Sequence, residues 1–387
     1  MRERNGRYIP RPRHLASRML WLFSLALPVA PDPLTPGTAP MDASGWWNPE
    51  QHARRRGHLL ARGRIKTALR QWFEAEGFIE TECGALVVSP GNEAHLHAFR
   101  TDFVFENGHA RPLYLHTSPE FAMKKLLAAG ETRIFDFARA YRNREAGGRH
   151  APEFTMLEWY RAGAGMADVM HDCAAIARSA SAAAGTRQLL WKGGACDPFA
   201  EPEKITVVEA FAQFAGIDLE ACLEDASRLR AAAQAAGVGV AEGASWTDVF
   251  SAILVTRIEP HLGKDRLTFL YRYPLSEAAL SRPAPDDPRF AERFELYACG
   301  VELANGYREL TDAVLLEARQ RAEMDLKEAL YGERYPLDTE FVSAVAHMPE
   351  ASGVALGFDR LVMLASGAAS INDVLWTPPA ILQEQDR

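Results

Sequence analysis

The 387-residue chain has only five cysteines, Cys83, Cys173, Cys196, Cys222 and Cys299, and none forms a C-x-x-C pair. An odd, scattered set of thiols argues against a disulfide framework and against a zinc site, and it fits a reducing cytosol. No apolar run is long enough to read as a transmembrane helix. Positive charge is also scarce in the body of the chain. The formal net charge is −8, and from residue 67 onward 31 Lys and Arg face 47 Asp and Glu, a net −16. So acidic a surface is a poor partner for a phosphate backbone, and no stable nucleic-acid binding is expected. The tract ahead of Gln51 has too few alternating strands for a five-stranded OB barrel. Gly237 and Gly239 have no phosphate-loop context and read as a turn.

Residues 1–50 differ from the rest. Six arginines precede the apolar run Met19–Ala30, and a proline-rich tract follows. This has the outline of a secretory signal. The alternative, favoured by the free cysteines, is upstream sequence ahead of a true start at Met41. Residues 1–50 are read as a Pro-rich extension, disordered or misassigned.

The most informative stretch is Arg139–Arg161, RAYRNREAGGRHAPEFTMLEWYR. It reads as two strands joined by a polar, glycine-containing turn. From Arg133, alternation puts Phe135, Phe137, Arg139 and Tyr141 on one face and Asp136, Ala138, Ala140 and Arg142 on the other. The return strand places Phe154, Met156, Glu158 and Tyr160 together. Small residues, an aromatic ring, a carboxylate and a phenol beside an arginine suit a planar ligand with an anionic end. Arg144, Arg149 and His150, between the strands, are also able to meet phosphate. The pattern alone fits equally well a charged hairpin tip over an ordinary core face.

Around it, Gln51–Glu76 is helical, with Arg54, Arg55 and Arg56 on a solvated face and Gly77 as the stop. Phe78–Glu82 reads as a strand. His95 and His97 suit a metal on a strand face, but no third ligand is near. A short strand Leu113–His116 leads into Thr117-Ser118-Pro119-Glu120, where Ser118 can cap and Pro119 can start a helix. Further helices are expected over Met166–Ala184, Ile205–Phe214, Leu219–Ala236, Ser245–Ile258 and Val314–Tyr331, with Gly237 as a C-cap. Leu267–Tyr273 is an apolar strand, and Phe294–Leu303 a hairpin-like pair about Cys299-Gly300. Next, Glu302 and Ala304 are expected to share a strand face, with a bulge or turn at Asn305-Gly306 returning Glu309 to the same pocket. Two carboxylates in a cleft call for a magnesium ion or an ammonium group. Surface glutamates are the other reading. Ser352–Leu364 is a strand entering a helix through Gly357, where a ligand can approach the backbone, with Arg360 in the first turn.

The runs LHTSPEF, RNRE, HAPEFTMLEWYR, GVELANGYRELTDA and SGVALGFDR together resemble the class II aminoacyl-tRNA synthetases, lysyl type. Because no anticodon-reading domain precedes Gln51, the chain resembles most closely the elongation factor P lysine ligase group. The resemblance covers about residues 50–378. It implies an α+β fold, an antiparallel sheet flanked by helices, with residues 51–387 as the catalytic domain and a helical insertion at about 165–262. It implies ATP and Mg²⁺, lysine or (R)-β-lysine as substrate, elongation factor P as acceptor, and a cytoplasmic homodimer without membrane attachment. By resemblance, Arg142 meets the α-phosphate and Arg360 the γ-phosphate, as the catalytic pair. Asn143, His150, Phe154, Glu302, Leu303 and Gly357 complete the ATP site, with Phe154 stacking on adenine and Glu302 also holding metal. Ser118, Glu120, Tyr160, Asn305 and Glu309 form the amino-acid site, with Glu120 on an amino group and Glu309 on the ε-ammonium. Three positions depart from the family pattern: Cys83-Gly84 closes the dimer-forming motif where Thr-Pro is usual, Arg144 replaces a glutamate, and Ala151 replaces an asparagine. Aminoacylation of a tRNA and a catalytically silent binding paralogue are the alternatives.

Overall fold

The computed structural model describes residues 45–278 and 280–379, so the readings made for residues 1–44 lie outside the described residues. Helix α1 (Pro49–Ala75) starts where the Asn48 side chain accepts from the Glu50 amide and ends just before Gly77, whose φ is +76°. Its apolar stripe, Leu59, Ile65, Leu69 and Phe73, is fully buried. Arg55 departs from the solvated face expected for it. It is buried and donates to the Leu375 carbonyl, while Arg54 and Arg56 remain exposed. Helical spacing shows which face a residue takes, but not that a distant segment will cover that face.

Short strands β1 (Ile79–Glu80) and β2 (Leu86–Val87) follow, then the hairpin of β3 (Phe99–Val104) and β4 (Ala110–Leu115). Helix α2 (Glu120–Ala128) begins after Pro119, and the Ser118 hydroxyl accepts from the Glu120 amide as a cap would. Strands β5 (Arg133–Tyr141) and β6 (Glu153–Ala162) are the expected hairpin, paired from Arg133↔Arg161 to Tyr141↔Glu153.

Helix α3 (Met166–Ala184) occupies the expected residues. A second small hairpin, β7 (Leu189–Trp191) and β8 (Gly194–Asp197), leads to β9 (Glu203–Thr206). Ile205 therefore starts in a strand rather than in the expected helix. The Thr206 cap, in a reciprocal box with Glu209, starts the short helix α4 (Val207–Ala210). Helices α5 (Ala226–Ala235) and α6 (Trp246–Ile253) are capped by Asp225 and Ser245. Strands β10 (Asp265–Arg266), β11 (Thr268–Tyr271), β12 (Arg293–Ala298) and β13 (Val301–Arg308) follow. The β12–β13 turn has Cys299 at φ 53° and Gly300 at φ 69°, the two positive values of a tight two-residue hairpin. Helices α7 (Ala313–Tyr331) and α8 (Thr339–Val345), strand β14 (Ala351–Gly357) and helix α9 (Phe358–Ser366) complete the fold.

Eight strands form one sheet in the order β1-β5-β6-β14-β13-β12-β11-β9. The interior pairs are antiparallel, and only the edge pairs β1–β5 and β11–β9 are parallel. This is the α+β arrangement expected from the sequence. One face packs on α1, α3 and α9 through Leu157, Trp159, Phe135, Leu356 and Val362. Buried polar pairs lock that face. Arg161 grips Asp172 of α3 with two bonds of 2.7 and 2.8 Å, and Asp359 bridges Arg62 of α1 and the Thr155 amide. A second apolar cluster, from Ile205 to Leu262 with Leu270, Tyr273 and Tyr297, holds the helices α4 to α6. Helix α3 packs in the main core, so the separately packed part of the block expected at 165–262 begins at about residue 205.

Candidate active site

The other face of the sheet opens into a cavity of about 450 Å³. Its walls come from the Ser89–Leu96 loop, the Thr117–Glu120 turn, β6, β13, β14 and the first turn of α9. The alternation in β6 that puts Leu157 and Trp159 in the core puts Phe154, Met156, Glu158 and Tyr160 on the cavity.

Strand β13 reaches the cavity in an unexpected way. Opposite Leu296 and Tyr297 the register slips, so that Ala304 and Glu302 pair there and Leu303 is the extra residue. A bulge of this kind switches the parity of a strand. Glu302 therefore shares the cavity with Asn305 and Tyr307, while Ala304, expected beside Glu302, lies in the core behind. The strand runs straight through Asn305-Gly306. Gly306 is required by packing, since a Cβ there would meet the Phe294 ring at 2.5 Å and Val354 at 2.8 Å.

One end of the cavity is cationic. Arg360 Nη1 donates to the Glu302 carbonyl (2.9 Å) and carboxylate (3.2 Å), and its Nη2 donates to His150 Nε2 (2.6 Å). Burial and the neighbouring Arg360 push the His150 imidazole down to about 4, so it is neutral at physiological pH. Arg142 donates to the Thr117 carbonyl (3.3 Å) and lies 5.3 Å from the centre of the Phe154 ring. Arg149, Leu303 and Gly357 line the same space. Asn143 does not. It is exposed, with its amide bonded to the His97 carbonyl. Arg144, at φ 66°, turns away to pair with Glu333.

The opposite end is acidic. Glu120 and Glu158 line it with Ser118, Tyr160, Asn305 and Tyr307. Glu158 accepts from Ser118 Oγ (3.1 Å) and from the Tyr160 hydroxyl (2.6 Å), and Glu120 accepts from the Tyr307 hydroxyl (2.5 Å). Burial and the nearby Glu120 push the Glu158 carboxyl up to about 8. Glu309 stands behind this wall, with no exposed side-chain surface. It meets Lys124, whose Nζ lies 2.5 Å from Glu309 Oε2 and 2.5 Å from Glu120 Oε1. Gly353 makes this packing possible, since a Cβ there would strike Tyr160 at 2.3 Å and Glu309 Oε1 at 2.6 Å. At the side, Arg293 orients Asn305 by donating to its Oδ1 (3.1 Å).

Sequence reasoning missed Lys124, Tyr307 and Arg293, and it left Glu158 without a role although the strand period had placed it correctly. The signal for Lys124 was its i,i+4 spacing from Glu120 on one helix.

Among the described residues, no three His, Cys, Asp or Glu side chains converge to hold a metal by themselves. Beside Glu302, the Glu259 carboxyl is pushed up to about 7 by burial and by the Glu302 and Glu295 charges. One or two carboxylates with room for phosphate oxygens fit a hard divalent ion that arrives with a nucleotide.

The sequence matches the class II tRNA synthetases (D, K and N) over residues 50–380. An elongation factor P--(R)-β-lysine ligase of Erwinia tasmaniensis is 40% identical over 324 residues, covering 82% of this chain and 94% of that protein. Ligases of the same name from Salmonella arizonae and Klebsiella pneumoniae are each 39% identical, covering 87% and 82% of this chain and 98% and 94% of their own. With that extent of likeness around a cavity of opposed charges, the chain belongs to the class II tRNA synthetase family, in the branch of the elongation factor P--(R)-β-lysine ligases.

Proposed function

We propose that this protein activates lysine or (R)-β-lysine with ATP and transfers the acyl group to a lysine side chain of elongation factor P. The observation that carries the reading is one cavity with arginines at one end and buried carboxylates at the other. A diamino acid bound with its ammonium groups among the carboxylates points its own carboxylate at the arginines. A substrate carboxylate oxygen then attacks the α-phosphorus, and pyrophosphate leaves in line. Such chemistry needs positioning and charge neutralisation rather than a protein nucleophile. Arg142 faces the α-phosphoryl charge and Arg360 the leaving pyrophosphate, as preorganised donors. Phe154 offers a face for adenine, with neutral His150 and the Gly357 backbone beside the phosphates. Glu302 would hold a divalent ion, which when bound supplies further neutralisation of phosphate charge. Glu120 and Glu158, with Tyr160, provide the amine seats, and Glu309 adds its charge from behind the wall. In the second step an uncharged acceptor amine attacks the acyl carbon, and AMP leaves with the electron pair.

We also infer a cytoplasmic homodimer without stable nucleic-acid binding. The exposed apolar side chains Leu86, Val88, Phe103, Val104 and Phe105, close in sequence to the dimer-forming motif, support a partner surface there. No helix of the described residues is long and apolar enough to cross a membrane.

The test is lysine-dependent ATP–pyrophosphate exchange, followed by labelled lysine or β-lysine offered with elongation factor P or tRNA. Exchange, with label on one lysine of the protein acceptor and almost none on tRNA, is expected. Absence of exchange would mean a silent binding protein, and charging of tRNA alone would reverse the assignment of the acceptor.

A further inference from the structure

The amine end holds a cation of its own that the proposed chemistry leaves unused. Lys124 is buried, lines no part of the cavity, and is held between Glu120 of α2 and Glu309 beyond β13. Its ammonium also lies 5.2 Å from the Tyr307 ring. The next residue, Lys125, points elsewhere, to Asp338 and Glu340 of the α8 segment. Glu309 is more isolated than Glu120. Among the described residues its one ion-pair partner is Lys124, whose charge compensates it. Around Lys124 stand three carboxylates, Glu120, Glu158 and Glu309, with Glu93 beyond Glu120 and the phenols of Tyr160 and Tyr307 between. With all three carboxylates charged, the single ammonium leaves two negative charges, which match the two ammonium groups of a diamino acid.

We propose that Lys124 is a positioning residue for amino-acid recognition, which bridges Glu120 and Glu309 and favours their charged forms, so that the acidic end can hold two ammonium groups. Without it, three carboxylates would share a dry space, and like charges so placed take up protons instead of remaining charged. A protonated Glu309 adds no negative charge behind the pocket wall, and the hold on ammonium weakens. Burial pushes Glu309 up and Lys124 opposes that push, so removing Lys124 raises Glu309 further. Burial alone would lower Lys124, but Glu120 and Glu309 outweigh it and hold the ammonium charged.

The inference rests on the reading of the site as a lysine pocket, and the experiment separates the two. Lysine-dependent exchange is measured for the unaltered chain, for Lys124→Met, for Glu309→Gln and for the double variant, between about pH 7 and about pH 9. Lys124→Met should raise the lysine KM about tenfold or more at pH 7, with the gap narrowing toward pH 9 and kcat held within about threefold. In the double variant the added cost of losing Lys124 should be smaller than in the unaltered chain, because only Glu120 is then left without its cation. It also supplies a folded test should the lone carboxylate unfold Lys124→Met. An unchanged lysine KM in Lys124→Met, a defect equal at every pH, or costs that multiply in the double variant would overturn the role of Lys124. No exchange with lysine by the unaltered chain would instead remove the reading of the pocket, and the inference with it.

Discussion

The two ends of the cavity are built on different principles. At the cationic end Arg142 and Arg360 lie partly open to the cavity and rest on backbone carbonyls of Thr117, Glu302 and Arg149. Carbonyls hold an arginine in place without cancelling its charge, and although Arg360 also meets the Glu302 carboxylate at 3.2 Å, the end stays available to an anion. At the acidic end the carboxylates are buried and answered by side chains: Ser118, Tyr160, Tyr307 and Lys124. There burial raises the cost of each charge, so the number of protons becomes part of recognition. The cationic end works by fixed charge and the acidic end by adjustable charge.

Variants test that difference. Arg142→Ala should reduce adenylate formation by roughly 10²–10³-fold, the scale for one transition-state donor, with less change in lysine KM. Near-normal exchange by this variant would show that another cation serves the α-phosphate.

Glu309→Gln keeps the shape and removes the charge. A loss of about 2 kcal/mol, roughly thirtyfold in lysine KM, is expected with the ATP KM little changed. An unaltered lysine KM would show that the residue behind the wall does not read the amine.

The smallest effect is a contrast in pH dependence. Glu158 and Glu309 are both pushed up to about 8, chiefly by burial, so below that pH they retain protons and above it they are charged. The grip on ammonium should therefore strengthen as pH rises, and lysine KM should fall by up to about tenfold from about pH 7 to about pH 8. His150, held down at about 4, stays neutral throughout, so the ATP KM should move less than about twofold. Parallel pH profiles for the two substrates would erase the distinction between the ends.

Much of the cavity was legible because strand alternation is local. The faces of β5 and β6 followed from period two, so Arg142, Phe154, Glu158 and Tyr160 were placed together before any pairing was known. Helix α3 and the β12–β13 turn were legible for the same reason, since a 3.6-residue period and a Cys-Gly corner are short-range signals. Glu302 was assigned to the cavity, but its companions were misjudged. Only the register against β12 shows that Leu303 is the extra residue and that the face changes there. The expected strand Leu113–His116 covers only part of the β3–β4 hairpin, and the expected helix Ile205–Phe214 takes in the last two residues of β9. β9 is an edge strand that owes its form to pairing with β11.

By itself the sequence determined which chemical groups the protein brings: arginines on a hairpin and a helix start, carboxylates at strand and helix ends, and glycines where backbones must meet. Their spacing along strands and helices is a local property that one chain carries alone. The tertiary structure decided which of those groups face one another. It buried Arg55 under the Leu375 segment, placed Glu309 behind Tyr160 and Gly353, and set Lys124 between two carboxylates. Each of these depends on segments far apart in the chain, where burial and partner charge, rather than residue type, decide what an ionisable group can do.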